Sequence, residues 1–364
     1  MPLLEKDRVE QPNSLATRRR STDVKSIVVR FLVNQRTILA ALTIALFIGF
    51  GIMNPQFFSL KFVVFPLLRD ASVISVVGLA QMCVLSIGQM NLAVGRMAAV
   101  GAMAAGACYQ YLNLSLYVGV VVGVVVGALF GMLAGWIVVR SHVNAFVVTL
   151  ALDFALLGLV TLVYTGLTDS GAFSVTPVGF DLFRNGSFGD VCALGYCGPS
   201  AIPLLVIPGL VAALLVYHLY ARSRTGREIL ATGANVRASA LSGIPADRRI
   251  LMAHTLSGAL AGLAGIMLAA TTGSFSAAIG SEFMIPSFLG PVLGGTLLAG
   301  GVVSVLGTVI GTLLTLIIRM GLSVAGAGLE TLNIALGSIL LIALSVQRLQ
   351  RIRRRKAEKE EAAT

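Results

Sequence analysis

The chain predicts an all-α polytopic membrane protein, and three observations carry that reading. Hydrophobic residues fill 56% of the 364 positions and charged residues only 12%. Apolar runs of roughly 20 residues, long enough to cross a hydrocarbon core as helix, recur along most of the length. Basic residues gather in three places: eight of the 27 Lys and Arg lie in 1–36, six in 221–249 and seven in 347–364. A net charge of +11 distributed in this way marks membrane orientation, because cytoplasmic flanks retain Lys and Arg. It does not mark a nucleic-acid surface, and the apolar content excludes a soluble enzyme.

Residues 1–36 read as a disordered, basic cytoplasmic tail; they lack the short apolar core and small-residue cleavage site of a secretory signal. Charge and turn residues then divide 37–346 into spans near 37–53, 67–87, 90–110, 115–139, 143–164, 201–220, 250–271, 283–299, 302–322 and 331–346. About ten transmembrane helices are therefore expected. Six crossings precede the 221–249 loop and four follow, which puts that loop and both termini in the cytoplasm. Residues 165–200 form a long external loop suited to docking, and 347–364 a charged cytoplasmic tail.

Glycine predicts how the spans pack. Gly119, Gly123, Gly127, Gly131 and Gly135 recur every four residues through the fourth span, a ridge without side chains on which a neighbouring backbone can lie. Gly258, Gly262 and Gly265 do the same for the seventh span, and Gly307 and Gly311 for the ninth.

Two glycine-bounded segments resemble each other at an offset of 206: Gly88-Gln-Met-Asn-Leu-Ala-Val-Gly95 and Gly294-Gly-Thr-Leu-Leu-Ala-Gly-Gly301. Interrupted helices in corresponding halves expose backbone polar groups at membrane depth in many transporters. Gly88, Asn91, Gly95, Arg96, Asp153, Gly294, Gly295 and Gly301 are accordingly the candidate translocation path. Asp153 lies mid-way along its span, where an ionisable residue faces protein or water. Arg96, Arg319 and Glu282 stand nearer span ends, where snorkelling accounts for them, and Asp70 and Arg69 sit at an external mouth. Pro286 and Pro291 should kink the eighth span.

Cys83 and Cys108 fall inside spans and read as packing. Cys192 and Cys197 lie close together in the external loop, where a disulfide or two free thiols are both open. No His or further Cys stands near them, so no metal site is expected. The chain has no Gly-x-x-x-x-Gly-Lys-Ser/Thr loop and no nucleophile or zinc motif, so neither catalysis nor bound ATP is expected of it, and no cofactor.

The polar break Gly226-Arg-Glu-Ile-Leu-Ala-Thr-Gly-Ala-Asn-Val-Arg-Ala-Ser-Ala-Leu-Ser-Gly-Ile-Pro245, followed by Leu256-Ser-Gly-Ala-Leu-Ala-Gly-Leu-Ala-Gly265, resembles the cytoplasmic loop and next helix of the permeases of ribose-type ABC importers. Val292-Leu-Gly-Gly-Thr-Leu-Leu-Ala-Gly-Gly301 with Gly307-Thr-Val-Ile-Gly311 is similar to their other signature, and the resemblance runs from about 37 to 346. It implies a permease in a bacterial inner membrane, with a vitamin B12-permease-like helix arrangement. The implied partners are a second permease chain, identical or related, a cytoplasmic ATPase that uses the ATP, and an external solute-binding protein.

The 221–249 loop would then be the ATPase-coupling loop, with Gly226, Arg227, Glu228, Gly233, Asn235, Leu241, Ser242 and Gly243 as its site. One short helix carrying Ile229, Gly233, Val236 and Ala240 on a single stripe, beside Arg227 and Arg237, would seat in an ATPase groove. Many members of the family have Gly-Ile-Asp-Leu-Ser-Val-Gly where this chain has Gln89-Met-Asn-Leu-Ala-Val-Gly95. Asn91, Ala93 and Arg96 therefore alter the polarity of the path. A monosaccharide or polyol is the expected cargo, with branched-chain amino acids or nucleosides as alternatives. A proton-coupled carrier would need several titrating acids at helix centres, and Asp153 stands alone.

Overall fold

The computed structural model describes residues 35–168, 171–190, 192–193, 196–197, 202–328 and 330–345. Both tails expected from the sequence lie outside them, apart from residues 35 and 36. The described chain is mostly helical: α1 (Gln35–Met53), α2 (Phe65–Leu85), α3 (Val94–Leu112), α4 (Leu116–Ser141), α5 (Ala145–Leu167), α6 (Phe180–Asn185), α7 (Val206–Arg222), α8 (Arg224–Ala234), α9 (Val236–Leu241), α10 (Ala246–Thr272), α11 (Met284–Leu293), α12 (Val305–Val324) and α13 (Glu330–Ser345). A π-helical turn, Leu60–Val64, leads directly into α2.

Five helical segments are long and apolar enough to cross a bilayer, namely Leu60–Leu85, α4, α5, α10 and α12. The pair α7 and α8, bent by 73° at Ser223, meets the same test together. Every span expected from the sequence contains a helix, but two helices depart from their hydropathy at a helix break. The third begins only at Val94, and the eighth ends at Leu293. At 1.5 Å per residue the ten residues of α11 reach about half-way through a hydrocarbon core. Pro286 sits in the first turn of α11, where its missing N–H costs nothing, and Pro291 lies two residues before the helix ends. The expected kink is therefore a termination.

Helix starts follow local chemistry. Asn144, Ser223, Asn235 and Ser304 cap α5, α8, α9 and α12 with side-chain oxygens that accept from the backbone N–H two or three residues on. Asn113 and His142, both left-handed, close α3 and α4.

The long α10 is the central post, packed on α2, α3 and α4. The α4 ridge lies along it: Gly127 faces Gly258 and Gly262, while Gly131 and Gly135 face His254, Leu251 and Gly258. A Cβ on Gly258 would stand 2.8 Å from Gly131 Cα, and one on Gly101 of α3 would stand 2.6 Å from Gly262 Cα. Only hydrogen side chains permit such approach. Gly307 and Gly311 of α12 meet Gly294 and Gly290 in the same manner. The outer faces of α4, α5 and α7, by contrast, expose Leu, Val and Phe, as lipid contact requires.

At one end of the post, β1 (Ala172–Phe173) pairs antiparallel with β4 (Phe275–Ser276). Tyr109, Tyr164, Phe173, Phe180 and Phe275 are buried together there, with ring centroids 4.8–6.4 Å apart. The start of the 165–200 loop is thus tied down as a cap on α3 and α10. β2 (Cys192–Ala193) pairs with β3 (Tyr196–Cys197) so that Cys192 opposes Cys197. Their side chains, and with them the choice between a disulfide and two free thiols, lie outside the described residues.

The α4–α10 seam gives a direct test. Gly127→Val should destabilise the protein by about 2 kcal/mol or more through overpacking, whereas Gly158→Val, with nothing within 4 Å of a new Cβ, should be neutral. Thermal unfolding in nanodiscs compares them; equal stability of the two variants would show that the seam is not close-packed.

Candidate functional site

Ser86, still helical in φ and ψ, caps the end of α2 at Leu85, its Oγ donating to Cys83 O at 2.6 Å. Gly88 then adopts φ +72, which a side chain would resist. Residues 88–93 run without helix, and their polar groups are satisfied by side chains from three helices. The Gln81 carboxamide of α2 faces Asn91, its nitrogen 2.9 Å from Asn91 O and its oxygen 3.3 Å from Asn91 N. Thr149 of α5 accepts from Leu92 N at 3.1 Å. His254 Nε2 of α10 lies 2.8 Å from Gln89 Oε1. Asn91 donates to Ser257 Oγ of α10 at 3.1 Å, and its Oδ1 accepts from Ala93 N at 3.0 Å. Gln81, Asn91, Thr149, His254 and Ser257 are all fully buried.

The second break, 294–304, is built mainly from glycine. Gly295, Gly300 and Gly301 have φ between +82 and +89. Thr296 N donates to Pro291 O at 2.9 Å, and Thr296 Oγ1 accepts from Ser304 N at 3.3 Å. The two breaks touch: Gly301 N donates to Ser86 O at 2.9 Å, and a Cβ on Gly88 would meet Ala299 O at 2.8 Å.

Helix α8 closes the same junction. Gly233 lies against Ser86 O, Gly301 N and Ile87 Cα, and a Cβ on Gly300 would stand 2.6 Å from Gly88 N and 2.7 Å from Gly233 O. Gly88, Gly233, Gly300 and Gly301 therefore make one node at which three chain segments meet backbone to backbone. Tyr220, at the end of α7, reaches the same place, its hydroxyl 3.0 Å from Ser86 Oγ.

The single-stripe helix expected over 226–245 is corrected. Asn235 ends α8 and caps α9, its Oδ1 accepting from Ala238 N at 3.1 Å, so Ile229 and Gly233 do not share a face with Val236 and Ala240. Gly226, Ile229 and Thr232 are buried inward, while Arg227, Val236, Arg237, Ala240, Leu241, Ser242 and Gly243 are exposed. Leu241 is 91% exposed. Glu228 fixes the loop to the post: its carboxylate accepts from Arg224 Nε at 2.8 Å and pairs with Arg249 of α10. The Arg224 hydrogen bond, then the Arg249 charge, hold the Glu228 carboxyl below the usual carboxylate range.

Arg96, expected to snorkel, instead lies 3.8 Å from Asp153, joining the start of α3 to α5. Gly95 beside it touches Gly280 O. Of the path residues, Gly88, Asn91, Gly95, Gly294, Gly295 and Gly301 are thus in or beside the breaks, and Arg96 with Asp153 forms a flanking pair. Sequence reasoning missed Gln81, Thr149, His254 and Ser257, whose signal was a polar residue inside an apolar run. Among the described residues no group of His, Cys, Asp and Glu could hold a metal.

The family described as branched-chain amino acid transport system / permease component matches residues 63–344. The chain belongs to this family. The permease is 31% identical over 318 residues to the ribose import permease protein RbsC of Escherichia coli (strain K12), spanning 87% of this chain and 94% of that one. It is 28% identical over 315 residues to the autoinducer 2 import system permease protein LsrD of Salmonella typhimurium, spanning 85% and 90%. No solved structure matches it. It is a multi-pass, all-α protein of the bacterial inner membrane.

Two outcomes test this geometry. Removing one partner of the Arg96–Asp153 pair leaves a lone, largely buried charge, so Arg96→Leu and Asp153→Leu should each cost about 3 kcal/mol and the double variant less than either; additive losses in thermal unfolding would mean that the two charges do not interact. For Glu228 the folded pKa is depressed, so its contribution is complete above the unfolded value of about 4.3 and fades only as pH falls through the lower folded one. Amide exchange across 224–234, corrected for intrinsic pH effects, should be unchanged from pH 7 to pH 5 and faster in Glu228→Gln.

Proposed function

We propose that the permease is the membrane-spanning subunit of an ATP-binding-cassette importer that carries a small polar solute, a monosaccharide or polyol. The observation that carries this reading is the node itself: a basic loop helix is seated by Gly233 on both helix breaks at once. A loop placed there can move the two halves together, and its exposed face offers Arg227, Val236, Arg237 and Leu241 to a partner. The partner is a separate ATPase, which supplies the ATP-driven motion.

In this reading the chain crosses the membrane ten times in a vitamin B12-permease-like arrangement, both termini in the cytoplasm. It works beside a second permease chain, and a binding protein docks on the 165–200 loop. Closure of the ATPases pushes on α8 and α9, the node shifts α2 with α12, and solute passes along a path flanked by the breaks. Similarity to a ribose import permease favours a sugar-like cargo. Branched-chain amino acids or nucleosides are the second reading, favoured by the description of the family and by Asn91 where many ribose-type permeases carry Asp. Thermal-shift screening of the cognate binding protein against sugars, polyols and amino acids decides between them.

The loop surfaces make separable predictions. Arg227→Glu and Leu241→Asp should lower ATPase co-purification by about tenfold or more, the loss expected of an interface hot spot, without changing elution of the permease itself. Gly233→Ala should retain the ATPase and lose solute uptake, because the new methyl wedges the node apart. ATPase recovered at wild-type yield with both surface variants would reject the docking role; uptake that survives without ATP and stops when the proton gradient is collapsed would replace the importer by a carrier.

A further inference from the structure

The first break is held at two ends that differ in freedom. On one side it enters the node, where Gly233 of α8 lies against Ser86 O and Ile87 Cα. On the other, the Gln89 side chain reaches α10, its Oε1 2.8 Å from His254 Nε2. His254 cannot follow the node. A Cβ on Gly135 would stand 2.9 Å from His254 Cβ, and Gly131 lies against His254 O, so the glycine seam with α4 fixes the backbone there. The contact itself is incompletely satisfied. His254 is fully buried, and its Nδ1 has no hydrogen-bond partner among the described residues. Whichever ring nitrogen carries the proton, the pairing with Gln89 leaves the other unmatched, and a buried polar atom tolerates that only at a cost.

Resting on the importer reading, we infer that Gln89 and His254 form a latch on the first break, closed in this structure and opened when α8 moves. The glutamine stands on the segment that the loop displaces, and the histidine on the seam that stays. A relative shift of about 1 Å carries their 2.8 Å contact beyond hydrogen-bonding range. Gln89 then has somewhere to go. It is half-buried and borders a cavity of about 730 Å³ beside the α4–α5 turn, whose wall also carries His142, Asn144, Val236 and Asp247. A carboxamide released there meets polar partners and room to turn. Asn91 makes the other bond to α10, through Ser257, but it is fully buried and the Gln81 carboxamide grips its backbone. Gln89 is therefore the side chain free to leave. His254 is a positioning residue, acting on the break through Gln89.

The chain has three histidines, so the ring can be watched directly. The full chain, its histidines labelled with heavy nitrogen, is studied by NMR in nanodiscs, with His142→Gln and His218→Gln assigning the His254 signals. The wild type should show a hydrogen-bonded Nε2, and Gln89→Leu should shift it. Gly233→Ala, which drives a methyl onto Ser86 O, should shift the same signal in the same direction. Gly158→Ala, with open space around it, should leave it unchanged. A His254 ring that ignores Gln89→Leu or Gly233→Ala would overturn the latch. Uptake of D-ribose, xylitol and L-leucine per ATP hydrolysed is measured in parallel on the reconstituted importer. Gln89→Leu and His254→Leu should each lower it by about tenfold for the probe that the wild type carries, the effect of one buried hydrogen bond, with ATPase co-purification unchanged. The double variant should be no worse than either, and Gln89→Glu, which keeps an acceptor, should recover most of the loss. Gln89→Leu alters a half-buried side chain and keeps the test valid if His254→Leu folds poorly. No uptake of any probe by the wild type, with a responsive ring, rejects the importer and leaves the latch. Intact uptake with an unresponsive ring rejects the latch alone.

Discussion

The structure depends on one constraint: no backbone polar group inside a bilayer can be left to water. A helix satisfies its own groups, so a chain that interrupts two of its spans must supply the missing bonds from elsewhere. Residues 88–93 are supplied by Gln81, Thr149 and Asn91 itself, which Ser257 orients, while His254 meets the Gln89 side chain. Those groups come from α2, α5 and α10, and they reach only because these helices are packed around α3. The glycine seam between α4 and α10 is therefore a condition of the break. Without it the post would stand further out and the buried polar groups would be unsatisfied, at about 1–3 kcal/mol each.

The second break solves the same problem differently. Residues 294–304 borrow few side chains and rely on left-handed glycines to fold the backbone on itself, with Thr296 and Ser304 closing the turn. The sequence offset of 206 between the two segments relates their glycines, but not the means by which each is satisfied. The first break is read by four fully buried polar side chains, and the second presents bare backbone. The two breaks are satisfied by different means, and they meet where Gly301 donates to Ser86.

Much of this was legible in the sequence, for identifiable reasons. Apolar runs located a helix in each expected span, because hydropathy reports burial in lipid directly. The Gly119–Gly135 ridge announced a close-packed seam, because a four-residue period places glycine on one helical face. Span ends were less legible: hydropathy continues through Leu297 and Leu298 although the helix stops at Leu293, since a buried glycine turn is as apolar as a helix. The stripe from Ile229 to Ala240 failed at Asn235, a residue equally able to sit in a helix or to cap one. Arg96 looked interfacial only because its partner, Asp153, is 57 residues away, and no periodicity connects α3 to α5. His254 and Gln81 were hidden for the same reason: a polar residue in an apolar run shows that something is being satisfied, but not what.

The node explains why a loop helix of eleven residues can matter to a much larger bundle. Side chains at an interface yield by changing rotamer, which absorbs small displacements. Gly88, Gly233, Gly300 and Gly301 have no rotamers, and their backbones are already in contact, so a displacement of α8 cannot be taken up locally and must move α2, α12 or both. Glu228, bonded to Arg224 and paired with Arg249, meanwhile ties α8 to the foot of α10, which packs on α2, α3 and α4. The glycines that let three segments approach so closely are also what makes their junction stiff.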